Sequence, residues 1–348
     1  MKPLAVIATG MVTGVGLDAP SSCAAIRCAI DNFQETRFID RGGEWIVASE
    51  VPLDPPTRGR NKLVRMAASA VGECLPALPD VPTDRVPLIL CVAETERPGR
   101  LSDLDDSLIE AVSKSLGVTF AATSQVITNG IVGGVQAIET AFSLINEQDA
   151  PCVLVAGADT LLVARTLTAL DEAYRLLTPD NSNGLIPGEG AAAVLLGPAA
   201  ARPVRAEFVL RGVGFGREQA TITSDEPLKA DGMAQTLRAA LQNAGCTYDD
   251  VDYRITDISG EQYAFKEAAL AAARTMKKVK QEYDIWHPAE CIGDAGAAVV
   301  PCMLAVAKAA AEKDYAMGDG VLFHCANDDE QRAAVIGSFV DPESNNGQ

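Results

Sequence analysis

Histidine is nearly missing from this chain. His287 and His324 are the only two in 348 residues. The nine cysteines are scattered, form no C-x-x-C pair, and sit mostly in apolar contexts such as Cys74, Cys91, Cys152 and Cys302. Buried free thiols in a reducing cytoplasm are therefore expected. No apolar run reaches the roughly 18–20 residues needed to span a bilayer, and the opening MKPLAVIATGMVTGVG, broken by glycines, reads as a strand and turn instead of a signal peptide. Basic residues are in the minority. There are 29 Lys and Arg against 47 Asp and Glu, a net charge of −18. That balance argues against a nucleic-acid partner and against anionic membrane surfaces. The best basic patch, RGRNKLVR (Arg58, Arg60, Lys62, Arg65), reads as a solvated loop and helix start.

What is present is an alternation of buried strands and helices. PLAVIATG is a strand ending in a glycine turn at Gly10 to Gly16, and SSCAAIRCAI is a short helix capped by Ser21 or Ser22. KLVRMAASAVGECLPAL is an amphipathic helix, VPLILCVAE a strand buried on both faces, and SDLDDSLIEAVSKSLG a helix with a glycine stop. The segment ARPVR (201–205) marks a boundary, beyond which the order repeats. GIVGGVQAIETAFSLINEQDAPCVLVAGAD is echoed by GDAGAAVVPCMLAVAKAAAEKDYAMGDGVLFHCAND. Each is a small-residue corner, an alanine-rich helix, a polar loop and an apolar strand, followed by a second apolar strand. The pattern predicts two duplicated α/β halves, 1–200 and 201–340, with a polar, disordered tail at 341–348.

The corner TSQVITNGIVGGVQAIETAF (123–142) draws attention to itself. A strand leading into a helix N-terminus suits a nucleophile, because the helix end favours developing negative charge. Yet this corner has no Cys, Ser, Lys or His at the helix start; Thr128 and Asn129 are its only reactive-looking side chains.

The two halves and their motifs resemble the thiolase fold, and within it the β-ketoacyl synthase branch. VIATGMVTGVG, VLVAGADT, GLIPGEGAAAVLL and CIGDAGAA follow that family's motifs in order, PGEGAA being the most specific. The resemblance implies a five-layered αβαβα arrangement with mixed sheets. It also implies a homodimer paired through the strand near 120–128, and it places the family's catalytic positions. Ile131 falls where the nucleophilic Cys would stand, Ser259 at the first His and Asp294 at the second, while the family's Lys falls near Ala289. Decarboxylative condensation needs a thiolate and two neutral hydrogen-bond donors. Ile131 cannot form a thioester, and an ionised Asp294 would repel an enolate unless burial kept it protonated. The expectation is a catalytically inactive member that acts as a scaffold or accessory protein.

Other features weigh less. Asn129, Leu185, His324 and Cys325 are candidates for a residual ligand pocket. His324 and Cys325, adjacent on a strand, point to opposite faces, so the histidine cannot simply activate the thiol. His287 precedes the CIGDAGAA loop. Asp159, Glu189, Asp257, Glu261 and Asp294 gather around the motif loops without metal-site spacing, so capping and loop hydrogen bonds are expected, with no metal and no cofactor. GVGFGRE (212–218) lacks the third glycine and lysine of a phosphate loop. The segments ETRFID and GGEWIVA (35–48) resemble thiolase-like proteins associated with type VI secretion, implying an adaptor, spike or effector as partner. The alternatives are an acyl- or CoA-binding protein, a residual acyltransferase, and a subunit like a chain-length factor.

Overall fold

The computed structural model describes residues 2–201, 206–280 and 283–340. Most of the proposed boundary at 201–205 and the whole tail 341–348 therefore lie outside the described residues. The first half runs β1 (Leu4–Val12), α1 (Ala19–Arg27), β2 (Gln34–Ile39), β3 (Trp45–Ala48), α2 (Gly59–Cys74), β4 (Leu88–Cys91), α3 (Asp106–Leu116), β5 (Gln125–Ile127), α4 (Gly130–Glu147), β6 (Val153–Thr160), α5 (Ala164–Glu172) and β7 (Glu189–Pro198). The second runs β8 (Glu207–Arg217), α6 (Asp231–Ala244), β9 (Tyr253–Thr256), α7 (Gln262–Thr275), β10 (Ile285–Trp286), α8 (Ala289–Ile292), α9 (Val299–Glu312), β11 (Gly320–Ala326) and β12 (Gln331–Val340).

Local chemistry sets these boundaries. The carboxylate of Asp105 accepts from the Ser107 amide at the start of α3, and Gly117 at φ 69° ends it in the left-handed conformation. Gly245 at φ 70° ends α6 in the same way. Two sequence expectations need correction. Asp18, not Ser21 or Ser22, caps α1, its carboxylate accepting from the Ser21 amide at 2.7 Å. Strand β1 continues through Gly10 to Val12, because Gly10 is a close-approach position: a Cβ there would stand 1.9 Å from the Ala70 carbonyl oxygen of α2.

Ten of the strands form one mixed sheet in the order β10-β9-β11-β12-β8-β1-β7-β6-β4-β5, and β2 and β3 pair as a separate two-stranded sheet. Each half repeats the same pattern. In chain order the five strands that each half gives to this sheet lie third, second, fourth, fifth, first from its edge, with the outer pairs parallel and the pairs toward the join antiparallel. The halves meet where β1 pairs with β8, Leu4 opposite Leu210 and Ala5 opposite Val209. One apolar cluster centres on α4 and α9 and draws strand residues from both halves. A second packs α2 and α3 on the outer face of the first half, and a third packs α6 and α7 on the outer face of the other. This is the layered α/β architecture that the repeated corner predicted. No described helix is long and apolar enough to cross a membrane.

The shared middle layer is tight because its residues are small. A Cβ on Gly134 of α4 would lie 2.5 Å from the Val300 Cβ of α9, and one on Gly157 of β6 would lie 2.2 Å from the Ala297 carbonyl oxygen. Gly134→Ala should destabilise the fold by about 1–3 kcal/mol through overpacking, with partial recovery in Gly134→Ala/Val300→Ala. Denaturant unfolding reads the effect, and an unchanged midpoint would mean that the helices have room to separate.

Candidate active site

The α4 corner lies between the halves. Asn129 ends the approach from β5, and Gly130 takes φ 54°, which favours glycine. A Cβ on Gly130 would also meet the Glu94 Oε2 at 2.7 Å, so a carboxylate sits against the start of the helix. The second half closes the corner. Asn327, just past β11, accepts from the Val132 amide through Oδ1 at 3.1 Å and donates through Nδ2 to the Asn129 carbonyl at 3.1 Å. The Asn129 amide group exchanges hydrogen bonds with the Gln331 side chain at 2.8 and 3.1 Å. The Gly130 amide donates to the Val92 carbonyl at 3.1 Å. Two first-turn amides, those of Gly130 and Val132, are thus already engaged.

Two adjoining chambers open at this corner. The outer one, about 530 Å³, is lined by Asn129, Ile131, Leu185 and Asp294 together with Glu94, Arg97 and Arg175. The inner recess, about 60 Å³, is lined by Ile131, Ser259, Asp257, Asp294 and His324. Ile131, Arg175, Asp294, Asn327 and Asp328 border both. Ile131, Ser259 and Asp294 therefore share the recess, and Asn129 and Leu185 share the chamber in front of it. Cys325 lines neither. It is fully buried in the α4/α9 layer, on the opposite face of β11 from His324, and burial raises its thiol well above the ordinary range. Cys325 is thus removed from the set of pocket residues. His287 lies apart, its Nε2 3.1 Å from Glu290.

The electrostatics are dominated by carboxyl groups. Arg97, its side chain only 8 % exposed, is held by Asp159 at 2.7 Å and by Glu94 at 2.6 and 2.8 Å. Asp159 also accepts from the Thr160 and Ala297 amides, which ties β6 to the loop after Asp294. Arg175 spans the halves, binding Glu261 through two bonds at 2.7 and 2.8 Å and Asp328 at 2.6 Å. Glu189 pairs with Lys62 and accepts from the Val51 amide and the Thr160 hydroxyl. Among the described residues no group of three or more His, Cys, Asp and Glu is placed to hold a metal ion.

Two aspartates lack such partners. Burial raises Asp294 to about 6, despite a hydrogen bond from the Gly296 amide and the nearby Arg97. Burial raises Asp257 to about 7, against a hydrogen bond from the Ala326 amide, and repulsion from Asp294 adds to the rise. Burial and then the charge of Arg254 push His324 down to about 3, so its ring is neutral. The corner therefore presents an isoleucine, serine, threonine and tyrosine hydroxyls, a neutral imidazole and several carboxyl groups.

Sequence reasoning missed Arg97, Arg175 and Asn327. The first two sit in polar loops whose residues carry no motif. Asn327 stood in the quoted stretch HCAND, but its partner Val132 lies 195 positions away.

Residues 120–201 match the family model described as Beta-ketoacyl synthase, N-terminal domain. No curated protein sequence matches the chain. Similar solved structures include a ketosynthase (ApeO) in complex with its chain length factor (ApeC) from Xenorhabdus doucetiae, 13 % identical with TM-score 0.79, covering 97 % of this chain and 98 % of that one. A type II polyketide synthase acyl-carrier protein in complex with its ketosynthase (AntDE:AntF) gives TM-score 0.80 at 14 % identity, covering 97 % and 100 %. The ishigamide ketosynthase/chain length factor gives TM-score 0.76 at 18 % identity, covering 97 % and 99 %. The fold is thus a thiolase-like ketosynthase fold.

The raised aspartates carry a pH signature. A carboxyl group whose folded value lies above its unfolded value of about 3.9 stabilises the protein when protonated, and that stability falls as pH rises through the folded value. Asp257→Asn and Asp294→Asn should each raise stability at pH 8 by about 1–3 kcal/mol, with the gain vanishing below about pH 4. Thermal melts across that range check the sign; destabilisation at pH 8 would show that the ionised forms are supported.

Proposed function

We propose that this chain is a non-condensing ketosynthase-fold protein that works as a scaffold or accessory subunit. The observation that carries the reading is the α4 corner. By the family resemblance Ile131 stands where the nucleophile is expected; beside it Glu94 stands against the helix start, and Asn327 accepts from the Val132 amide. A thioester cannot form on Ile131, and the neighbouring Asp294 offers an enolate a carboxylate at neutral pH and above. Incubation with acetyl-CoA and malonyl-CoA followed by intact-mass measurement should leave the mass unchanged and release no carbon dioxide. An acyl adduct on any residue, or turnover above background, would contradict the reading.

The protein-binding side of the proposal is supported by the hairpin β2–β3, the segment whose sequence resembles type VI secretion-associated thiolase-like proteins. Ile39 and Trp45 pair across it and are 55 % and 49 % exposed, and Val47 beside them is 38 % exposed. Its inner side packs Ile46 with Leu167, Leu176 and Leu185, so the hairpin is seated on the wall of the outer chamber. A large aromatic left half in water beside aliphatic neighbours suits a protein contact. On this reading the partner is a secretion adaptor, spike or effector. Trp45→Ala should reduce recovery of such a partner in co-purification from the native host by at least about tenfold, the scale of a hot-spot residue, and leave the melting temperature unchanged. Recovery equal to wild type, or of no adaptor, spike or effector at all, would contradict this part of the proposal.

A second reading, a subunit resembling a chain-length factor, is supported by β5. Strand Gln125–Ile127 is the terminal strand of the sheet beside the α4 corner and leaves one edge open to a partner strand. In two of the similar solved structures, a ketosynthase appears with a chain length factor. The same edge suits a second copy of this chain.

A further inference from the structure

The two chambers hold more carboxyl groups than cations can answer. The outer one presents Glu94, Glu96, Asp294, Asp328 and Asp329 against Arg97 and Arg175, and the recess adds Asp257, Glu261 and Glu267. Both arginines are already paired, Arg97 with Glu94 and Asp159 and Arg175 with Glu261 and Asp328, while Glu267 is held by Arg332. Glu96, Asp257, Asp294 and Asp329 have no ion-pair partner among the described residues. Burial raises both Asp257 and Asp294, and neighbouring carboxylates add to the rise, Asp294 and Glu267 for the first and Asp328 for the second.

A second, independent feature lies at the back. His324 lines the recess, is 3 % exposed, and its buried Nε2 has no hydrogen-bond partner among the described residues. An unsatisfied buried polar atom is costly and marks a place where a polar group is wanted. The imidazole is neutral, so one ring nitrogen can accept from a donor. The outer chamber is also lined by apolar side chains, Leu161, Leu170 and Leu185 with Ala169 and Ala173. Its volume of about 530 Å³ lies in the range of small-molecule sites.

We infer that the paired chambers bind a primary alkylammonium group, the cation among Asp294, Asp257 and the mouth carboxylates, with His324 as a neutral acceptor and the alkyl body against Leu161, Leu170 and Leu185. The same charge excess opposes the phosphates of coenzyme A. The inference rests on the non-condensing reading, since an acyl chain anchored at the corner would fill the same space. The ammonium can arrive on a free amine or as the lysine side chain of a partner peptide.

Titration calorimetry of the full chain with octylammonium chloride tests the inference, with octanol and octanoate as neutral and anionic controls. Octylammonium should bind saturably, at least about tenfold tighter than octanol, a gap of about 1.4 kcal/mol, and octanoate should not bind. Glu96→Gln/Asp294→Asn should weaken octylammonium by at least about tenfold. Glu96 is exposed, so Glu96→Gln alone keeps a folded control and should weaken binding in the same direction. An N-acetyl-Ala-Lys-Ala-amide arm separates the sources: tighter binding than octylammonium assigns the site to a peptide lysine, weaker binding to a free amine, and either supports the inference. Octanol binding as tightly as octylammonium, no saturable binding of either cation, or unchanged affinity in the variants would overturn it. An acyl adduct formed from octanoyl-CoA in the same preparation would overturn the non-condensing reading instead, whatever the amine result.

Discussion

Everything at this site depends on two helices sharing one layer. Helices α4 and α9 lie between the two halves, and only glycine at 134 lets Val300 come as close as it does. Because that layer is shared, the start of α4 is within reach of the second half. Asn327 and Gln331 exploit this, clamping Asn129 and the Val132 amide across a chain separation of about 200 residues. A helix N-terminus is useful to chemistry when its amides are free to meet a developing anion. Here the Asn327 side chain meets the Val132 amide and the Val92 carbonyl meets the Gly130 amide.

Electrostatics follow from the same geometry. Two arginines, Arg97 and Arg175, are drawn into the seam and neutralised by four carboxylates, two of them from the other side of it in the case of Arg175. Buried ion pairs of this kind fix orientation more than they add stability, since desolvation offsets much of the attraction. What remains is a surplus of carboxyl groups, with Asp257 and Asp294 raised by burial. A chamber of that character disfavours a phosphate-bearing acyl carrier and the enolate of a condensation alike. The isoleucine, the capped helix and the acidic wall point in one direction, although they are chemically unrelated features.

Much of this was legible in the sequence. The duplicated corner, helix and strand pairs appear as the same strand order in each half, because small residues at helix starts and continuous apolar strands have few other uses. Ile131, Ser259 and Asp294, which the motif order singled out, line one recess. Other features were not legible. Asp18 caps α1 because its carboxylate reaches the Ser21 amide, a choice among neighbouring polar residues that spacing alone does not make. Asn327 and Arg175 act over long chain separations, and loop residues carry no periodicity to betray their partners. Cys325 and His324 share a motif in sequence and part company on a strand, one into the core and one toward the recess.

The central claim of the proposed function is that the α4 corner does not activate a nucleophile, whatever residue is placed there. Ile131→Cys tests it directly. The rate of alkylation at position 131, followed by peptide mass analysis as a function of pH, reports the pKa of the introduced thiol. With Glu94 against the helix start, Asn327 on the Val132 amide and the recess walled by carboxylates, the thiol should titrate at or above the ordinary value of about 8.5. A titration midpoint below about 7 would show that the corner still stabilises a thiolate, and would contradict the account.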